Sequence, residues 1–393
     1  MIINLDHNAT TPIHPEVAQA LSECYLQGYG NAASSHQYGR RARQVLEEAR
    51  ESVGSILGAD TTGEHADRIL FTSGGTEANN LALLGIAGKP PGRVIVSSVE
   101  HSSVAGAAEQ LQRRGFDVQW LRVNGSGMVD QAHFDELLTP DTRVVSVMLA
   151  NNETGVLQPI ERLAEKCNRL GVPIHTDAVQ AVGKIPVHFR ALSVTALTLT
   201  AHKFHGPRGI GALILKRQQP LNPLFFGGTQ QLGLRPGTEP IELAVGLAWA
   251  LRCWQRDAQT RSIRMAALRD RLEELLRGAQ IGAIVNGAGV ARLPHTTNVA
   301  FPGLDCQATH MALDLAGIAC SVGSACASGG HAPSPVLMAM HLPSEIIESS
   351  LRFSLGSFTT RQDIDIAAHR IIEAVERLHR NRQARTSQTH HAT

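Results

Sequence analysis

Arg68-Ile69-Leu70-Phe71-Thr72-Ser73-Gly74-Gly75-Thr76-Glu77 passes from a short apolar run through small residues into a stretch of helical length, Thr76 to Ala87. The same alternation repeats outward from it. Apolar runs rich in β-branched residues recur at Val94-Ile95-Val96, Val118 to Leu121, Val144 to Leu149, Pro173 to Thr176, Ala196 to Leu199 and Gly211 to Leu215, with helical lengths such as Ser102 to Arg114 and Ile160 to Leu170 between them. Short buried strands separated by helices predict an α/β fold with a mostly parallel seven-stranded sheet covered on both faces. Upstream, Val45, Ala49, Val53 and Ile56 mark one face of a helix. Downstream, Glu239 to about Gly278 reads as one long helix, with Leu243, Leu247, Leu251 and Trp254 recurring along it, and it makes a plausible hinge into a second unit. That unit would hold Asn298-Val299-Ala300-Phe301, a helix near Ala308 to Leu315, an irregular stretch from Gly317 to Pro335, the strand Arg352-Phe353-Ser354-Leu355 and a last helix from Arg361 to about His379. The polar tail, 381–393, is expected to be disordered.

The 393 residues are 43% hydrophobic and 18% charged, enough to bury a large core. Lys+Arg 36 against Asp+Glu 35 leaves a net charge of +1, which removes the electrostatic case for a dedicated nucleic-acid or anionic-membrane binder. No run approaches the ~18 apolar residues of a membrane span. Met1 to Ala20 has neither a basic n-region nor an apolar h-region, so a cytoplasmic protein is expected. Cys24, Cys167, Cys253, Cys306, Cys320 and Cys326 lack paired CxxC spacing and are too few for a disulfide framework; they read as reduced thiols, one of which could be reactive. No metal-ligand set is expected.

In a parallel sheet the ligand site lies outside the carboxyl ends of the strands. The residues just after the strands are polar here: Thr72 to Glu77, Glu100-His101-Ser102-Ser103, Asn151-Asn152-Glu153, Asp177-Ala178-Val179-Gln180 and Thr200-Ala201-His202-Lys203. Each alone has an ordinary explanation. Glycine with Ser or Thr is turn and N-cap chemistry, and a lone histidine or lysine is more often a solvated or structural residue than a catalyst. Their convergence on one sheet edge changes the odds. Pyridoxal phosphate asks for this set: a lysine for the Schiff base, an acid facing the pyridine nitrogen and anion donors for the phosphate. The GxGxxG of a dinucleotide site and the GxxxxGK[ST] of a P-loop do not occur.

Asp6-His7-Asn8-Ala9-Thr10-Thr11-Pro12, Thr72 to Asn80, Glu100 to Val104, Asn151-Asn152-Glu153-Thr154-Gly155, Asp177 to Gln180, His202-Lys203 and Gly323-Ser324-Ala325-Cys326 resemble the successive signatures of the cysteine desulfurases. Those are class V aminotransferase-like pyridoxal phosphate enzymes of fold type I. The resemblance runs in order from Asn4 to about Asp365. It implies a homodimer with a large cofactor domain, 14–258, and a smaller α+β domain made of 1–13 and 259–380 that carries a cysteine loop at about 317–335. By position it makes Lys203 the Schiff-base lysine, Asp177 the partner of the pyridine nitrogen and His101 the ring that stacks on the cofactor. Gln180 and Asn152 would contact the phenolic oxygen or the substrate. Gly75, Thr76, Thr200 and His202 would hold the phosphate, with Thr238 reaching in from the other subunit. Arg352 matches the arginine that clamps the substrate carboxylate, a role suited to a bidentate guanidinium fork.

Cys326 lies in a stretch with no periodic apolar pattern, Gly323 to His331, whereas Cys320 beside Ile318 and Ala319 reads as packed. The loop ending at Pro333-Ser334-Pro335 resembles that of the NifS/IscS-type group. The implied reaction converts L-cysteine to L-alanine and leaves the sulfur on Cys326 as a persulfide, for an acceptor protein that builds iron–sulfur clusters or other thio-cofactors. A selenocysteine lyase, a class V aminotransferase and a catalytically silent binding protein are the alternatives. The chain departs from the family at Asn31-Ala32-Ala33-Ser34-Ser35-His36, where Asn-Pro-Ser-Ser is usual. It departs again at Gly227-Gly228-Thr229-Gln230-Gln231, where Gln231 replaces a glutamate near the presumed subunit contact, and in the tail 384–393, which is unlike the tail used to dock an iron–sulfur scaffold.

Overall fold

The computed structural model describes residues 2–323 and 333–390. The elements run β1 (Ile3–Asn4), α1 (Pro15–Leu26), α2 (Gln37–Ile56), β2 (Arg68–Thr72), α3 (Gly75–Ala87), β3 (Arg93–Ser97), α4 (Ser102–Arg113), β4 (Asp117–Leu121), α5 (Gln131–Leu137), β5 (Thr142–Ser146), α6 (Ile160–Arg169), β6 (Ile174–Asp177), β7 (Ala196–Thr200) and β8 (Gly211–Leu215). They continue with α7 (Ile241–Gln255), α8 (Ala258–Gly278), β9 (Ile284–Asn286), β10 (Thr296–Ala300), α9 (Cys306–Leu315), β11 (Ile318–Ala319), α10 (Pro335–Ala339), α11 (Ser344–Glu348), β12 (Ser350–Ser354) and α12 (Arg361–His390).

Seven strands form one sheet in the order β2-β8-β7-β6-β5-β3-β4, with β8 antiparallel to both neighbours and the other pairings parallel. Successive residues of a strand point to opposite faces. Accordingly Ile69, Phe71 and Ile95 join one core, whereas Leu70, Val94 and Val96 join another that also takes in Ala78, Leu81 and Ala82 of α3 and Val104 and Leu111 of α4. A separate core gathers Ile3 and Leu5 with Leu268, Leu272 and Leu276 of α8, Val299 of β10, Ile318 of β11, Phe353 of β12 and Ile364 and Ile371 of α12. It lies against the three-stranded antiparallel sheet β12-β10-β9 and the parallel pair β1-β11.

Two expectations need correction. The long helix expected from Glu239 to Gly278 is two helices, broken at Asp257, whose φ/ψ of -136/22 are non-helical. The break has a packing cause: Leu247 and Leu251 of α7 belong to the core over the large sheet, whereas Leu268, Leu272 and Leu276 of α8 belong to the separate core. The last helix does not stop near His379. It runs to His390, so 381–390, expected to be disordered, are helical. Arg382, Gln383 and Ala384 are good helix formers at the start of that stretch, Glu376 pairs with Arg380 at 3.5 Å, and Arg382 Nη1 donates to the Gly303 carbonyl. Among the described residues no helix is long and apolar enough to cross a membrane.

Candidate active site

A cavity of about 160 Å³ opens where the parallel strands end. Gly75, Thr76, His101, Asn152, Asp177, Gln180, Thr200, His202 and Lys203 line it, together with Ala9, Asn79, Ser103 and Met148. Each strand delivers its residues by ending there: β2 leads into the N-terminus of α3, β3 into Glu100-His101, β6 into Asp177, and β7 into a short 3-10 turn, Ala201–Lys203.

The N-terminus of α3 has no side-chain cap on Gly74, so N–H groups of its first turn lack an intrahelical partner and favour an anion. A Cβ on Gly75 would lie 2.9 Å from Val179 Cγ2, so only glycine lets the turn after β6 approach this closely. His202 sits beside it, with Nδ1 3.2 Å from Thr10 Oγ1. Burial, with Lys203 and Arg208 adding positive charge, pushes its pKa down to about 4, so the ring is neutral. Thr200 also lines the wall, but its hydroxyl donates to the Ile210 carbonyl at 2.9 Å.

Asp177 is buried, and both its oxygens are directed: Oδ1 accepts from Val179 N at 2.9 Å and Oδ2 from Asn79 Nδ2 at 2.7 Å. Asn79 also donates to Ser103 Oγ at 2.9 Å, and Ser103 Oγ lies 2.7 Å from His101 Nδ1. Asn79 therefore ties the carboxylate to the imidazole. Lys203 Nζ donates to the carbonyls of Asn8 and, at 2.9 Å, Ala9. Gln180 Nε2 shares the Asn8 carbonyl at 3.2 Å. Gln180 Oε1 and Asn152 Oδ1 are buried with no hydrogen-bond partner among the described residues.

Two expected residues lie elsewhere, and one falls outside the described residues. Arg352 is not in the wall; it sits behind Asn152, donating from Nη1 to the Asn152 carbonyl at 3.2 Å. Thr238 is exposed and takes no part in the cavity of this chain. Cys326 lies outside the described residues. Cys320 is buried, and burial pushes its thiol up to about 12. The expectations gave no role to Asn79, Asn8 or Ser103. Asn79 had a signal, a polar side chain three residues after Thr76 on the helix face that packs on the sheet. Asn8 stood in the Asp6 to Pro12 signature, but its side chain gave no sign that its backbone carbonyl is what acts.

Residues 3–366 match the family model "Aminotransferase class-V". A cysteine desulfurase of Trichormus azollae is 41% identical over 379 residues, covering 96% of this chain and 94% of that protein. The cysteine desulfurase NifS of Azotobacter vinelandii is 41% identical over 365 residues, covering 92% and 90%. In three dimensions, a NifS-like protein from Rickettsia africae superposes with a TM-score of 0.86 at 31% identity, over 96% of this chain and all of that one. A polar cavity at the strand ends, the unbroken run of signatures and these matches along nearly the whole chain lead to one assignment: the chain belongs to the class V aminotransferase family, and within it to the cysteine desulfurases of NifS/IscS type.

Proposed function

We propose that this chain is a pyridoxal phosphate-dependent desulfurase that takes L-cysteine to L-alanine and passes the sulfur to its own Cys326 as a persulfide. The observation that carries the reading is the single cavity that brings Lys203, Asp177, His101 and the α3 N-terminus together. Its donor set suits the cofactor. Backbone N–H groups at Gly75 and Thr76 with His202 suit the phosphate, Asp177 suits a protonated ring nitrogen, and the unpartnered oxygens of Gln180 and Asn152 are acceptors open to a ligand. Bound there, pyridoxal phosphate supplies an electron sink for charge developing at the substrate Cα.

The chain's own residues do the rest. Lys203 Nζ would anchor the cofactor and, as a neutral amine, would take the Cα proton; the carbonyls of Asn8 and Ala9 would then hold the ammonium so formed. Asn79 keeps Asp177 and His101 in register. Arg352 holds the substrate carboxylate. The Cys326 thiolate would attack the substrate sulfur, forming an S–S bond as the Cβ–S bond breaks; the electron pair left on Cβ would take up a proton, and Lys203 would return a proton to Cα, which completes alanine.

The exposed Thr238 completes the phosphate site of a second copy, which makes the working form a homodimer. The core around α8 and α12 supports a large domain over 14–258 and a small one over 1–13 and 259–380, although Leu293, Val336, Leu337 and Met340 of the small one pack into the core over the large sheet. The persulfide sulfur goes on to an acceptor protein that builds iron–sulfur clusters or another thio-cofactor. The holoenzyme given L-cysteine should yield alanine, sulfide and a persulfide on Cys326. Cys326→Ala should still bind L-cysteine, with alanine production lowered at least about 100-fold. Full alanine production by that variant, or a persulfide on Cys320, would overturn the reading.

A further inference from the structure

Arg352 is among the largest fully buried side chains of the molecule, and its guanidinium meets a carboxylate from the far end of the chain. Nη2 donates to Asp6 Oδ1 at 2.7 Å, and Nη1 to the Asn152 carbonyl at 3.2 Å. Nε has no hydrogen-bond partner among the described residues. Arginine carries five N–H donors in a rigid plane, so three remain, Nε among them. Asp6 is itself held in place. It bridges to Ser354, its N–H donates to Asn4 Oδ1 at 2.9 Å, and its Oδ1 accepts from Ser321 Oγ at 2.8 Å. Ser321 in turn pairs with Arg352 through both backbone bonds, at 3.1 and 2.8 Å. Asp6, Ser321 and Arg352 thus close a ring, with a backbone ladder on one side and a carboxylate on the other.

We propose that Asp6 is the positioning residue of the substrate-carboxylate site: it fixes the rotation of the Arg352 guanidinium so that its remaining donors form a ready fork for the α-carboxylate of L-cysteine. The proposal rests on the reading of Arg352 as the carboxylate clamp. Two physical arguments support it. A guanidinium at 2% exposure with no counter-charge would be a costly buried ion, and in the substrate-free protein Asp6 supplies that charge. A long arginine side chain also has many rotamers, and a second fixed acceptor on one nitrogen removes the freedom of its planar head to turn away. Asp6, at 22% side-chain exposure, keeps part of its carboxylate toward solvent while Ser321 Oγ holds Oδ1 in place.

The test compares Asp6→Ala, Asp6→Asn and Arg352→Ala as holoenzymes. Asp6→Ala should raise KM for L-cysteine about tenfold with kcat changed less than about twofold, and Asp6→Asn, which keeps an acceptor oxygen, should recover part of the loss. The second readout is the ratio of dissociation constants for L-cysteine and cysteamine, which lacks the carboxylate, from absorbance titration. Both Arg352→Ala and Asp6→Ala should lower the preference for L-cysteine. If Arg352→Ala lowers it and the Asp6 variants do not, the positioning role is wrong and the clamp stands. If Arg352→Ala leaves the preference intact, the clamp itself is wrong. A fall in kcat with KM unchanged would also overturn the positioning role. Should Asp6→Ala fail to fold, Asp6→Asn alone decides, because loss of charge without loss of shape must still weaken L-cysteine relative to cysteamine.

Discussion

Glu100 is enclosed directly after β3, with Oε1 accepting from Ser97 Oγ at 2.6 Å and from Met148 N at 2.7 Å, while Oε2 has no partner among the described residues. Burial, with a smaller push from the Asp177 charge, raises its pKa to about 8, so it is protonated at neutral pH. A carboxyl whose pKa is raised on folding gives stability that is complete below about 4.5 and is lost as pH climbs through about 8. Glu100→Gln keeps the accepting oxygen and has no proton to lose. The unfolding free energy of the wild type, from denaturant titration, should therefore fall between pH 5 and 8 relative to this variant, by on the order of a few kcal/mol. Equal pH profiles would show that Glu100 is charged in the folded protein. At this scale the sequence is readable where a residue acts through its own position after a strand, as Asp177, His101 and Lys203 do. It is silent where the partner is remote: Asn79 meets Asp177 across 98 positions and Asp6 meets Arg352 across 346.

Among the elements, the edge strand β2 shows how the departure at Gln231 is accommodated. Gln231 has a left-handed backbone, φ 48. From there its amide meets the open edge of β2 as another strand would, Oε1 accepting from Phe71 N at 2.7 Å and Nε2 donating to Phe71 O at 2.9 Å. A glutamate could accept the first bond but has nothing to donate for the second. Gln231→Ala should lower stability by about 1–3 kcal/mol through the two stranded backbone groups, and Gln231→Glu should fall between it and the wild type, both read from denaturant unfolding. An unchanged midpoint in Gln231→Ala would mean the edge needs no such partner. The seven strands of the large sheet were legible because each is a short apolar run set off by turn residues. The break at Asp257 was not, because apolar periodicity continues across it while the core it faces changes.

For the whole molecule, the balance of buried bases sets the response to acid. Burial pushes His7 and His202 down to about 4, His175 and His205 to about 3, and His295 well below its ordinary value. A base whose pKa is depressed on folding binds its proton more readily in the unfolded chain, so its contribution is complete above about 6.5 and is lost as pH falls toward 3 to 4. The melting temperature should therefore drop steeply between pH 6.5 and 4.5, against the opposite slope of Glu100, and His175→Gln should flatten that drop by a measurable part. A melting temperature that rises on acidification would contradict these burials. The bridge from Asp6 to Ser354 and Arg352 has a further consequence for how the protein comes into being. The strip from Ile3 to Thr11, whose carbonyls receive Lys203, is translated early, but the strands that hold it, β11 and β12, are translated late. At about 5–20 residues per second the ribosome needs tens of seconds to travel between them. Through that interval the large sheet has its own residues to pair with, while the strip waits for its neighbours. Ribosome-bound chains stalled before Ser354 would then resist protease across β2 to β8 and remain cleavable near Asp6.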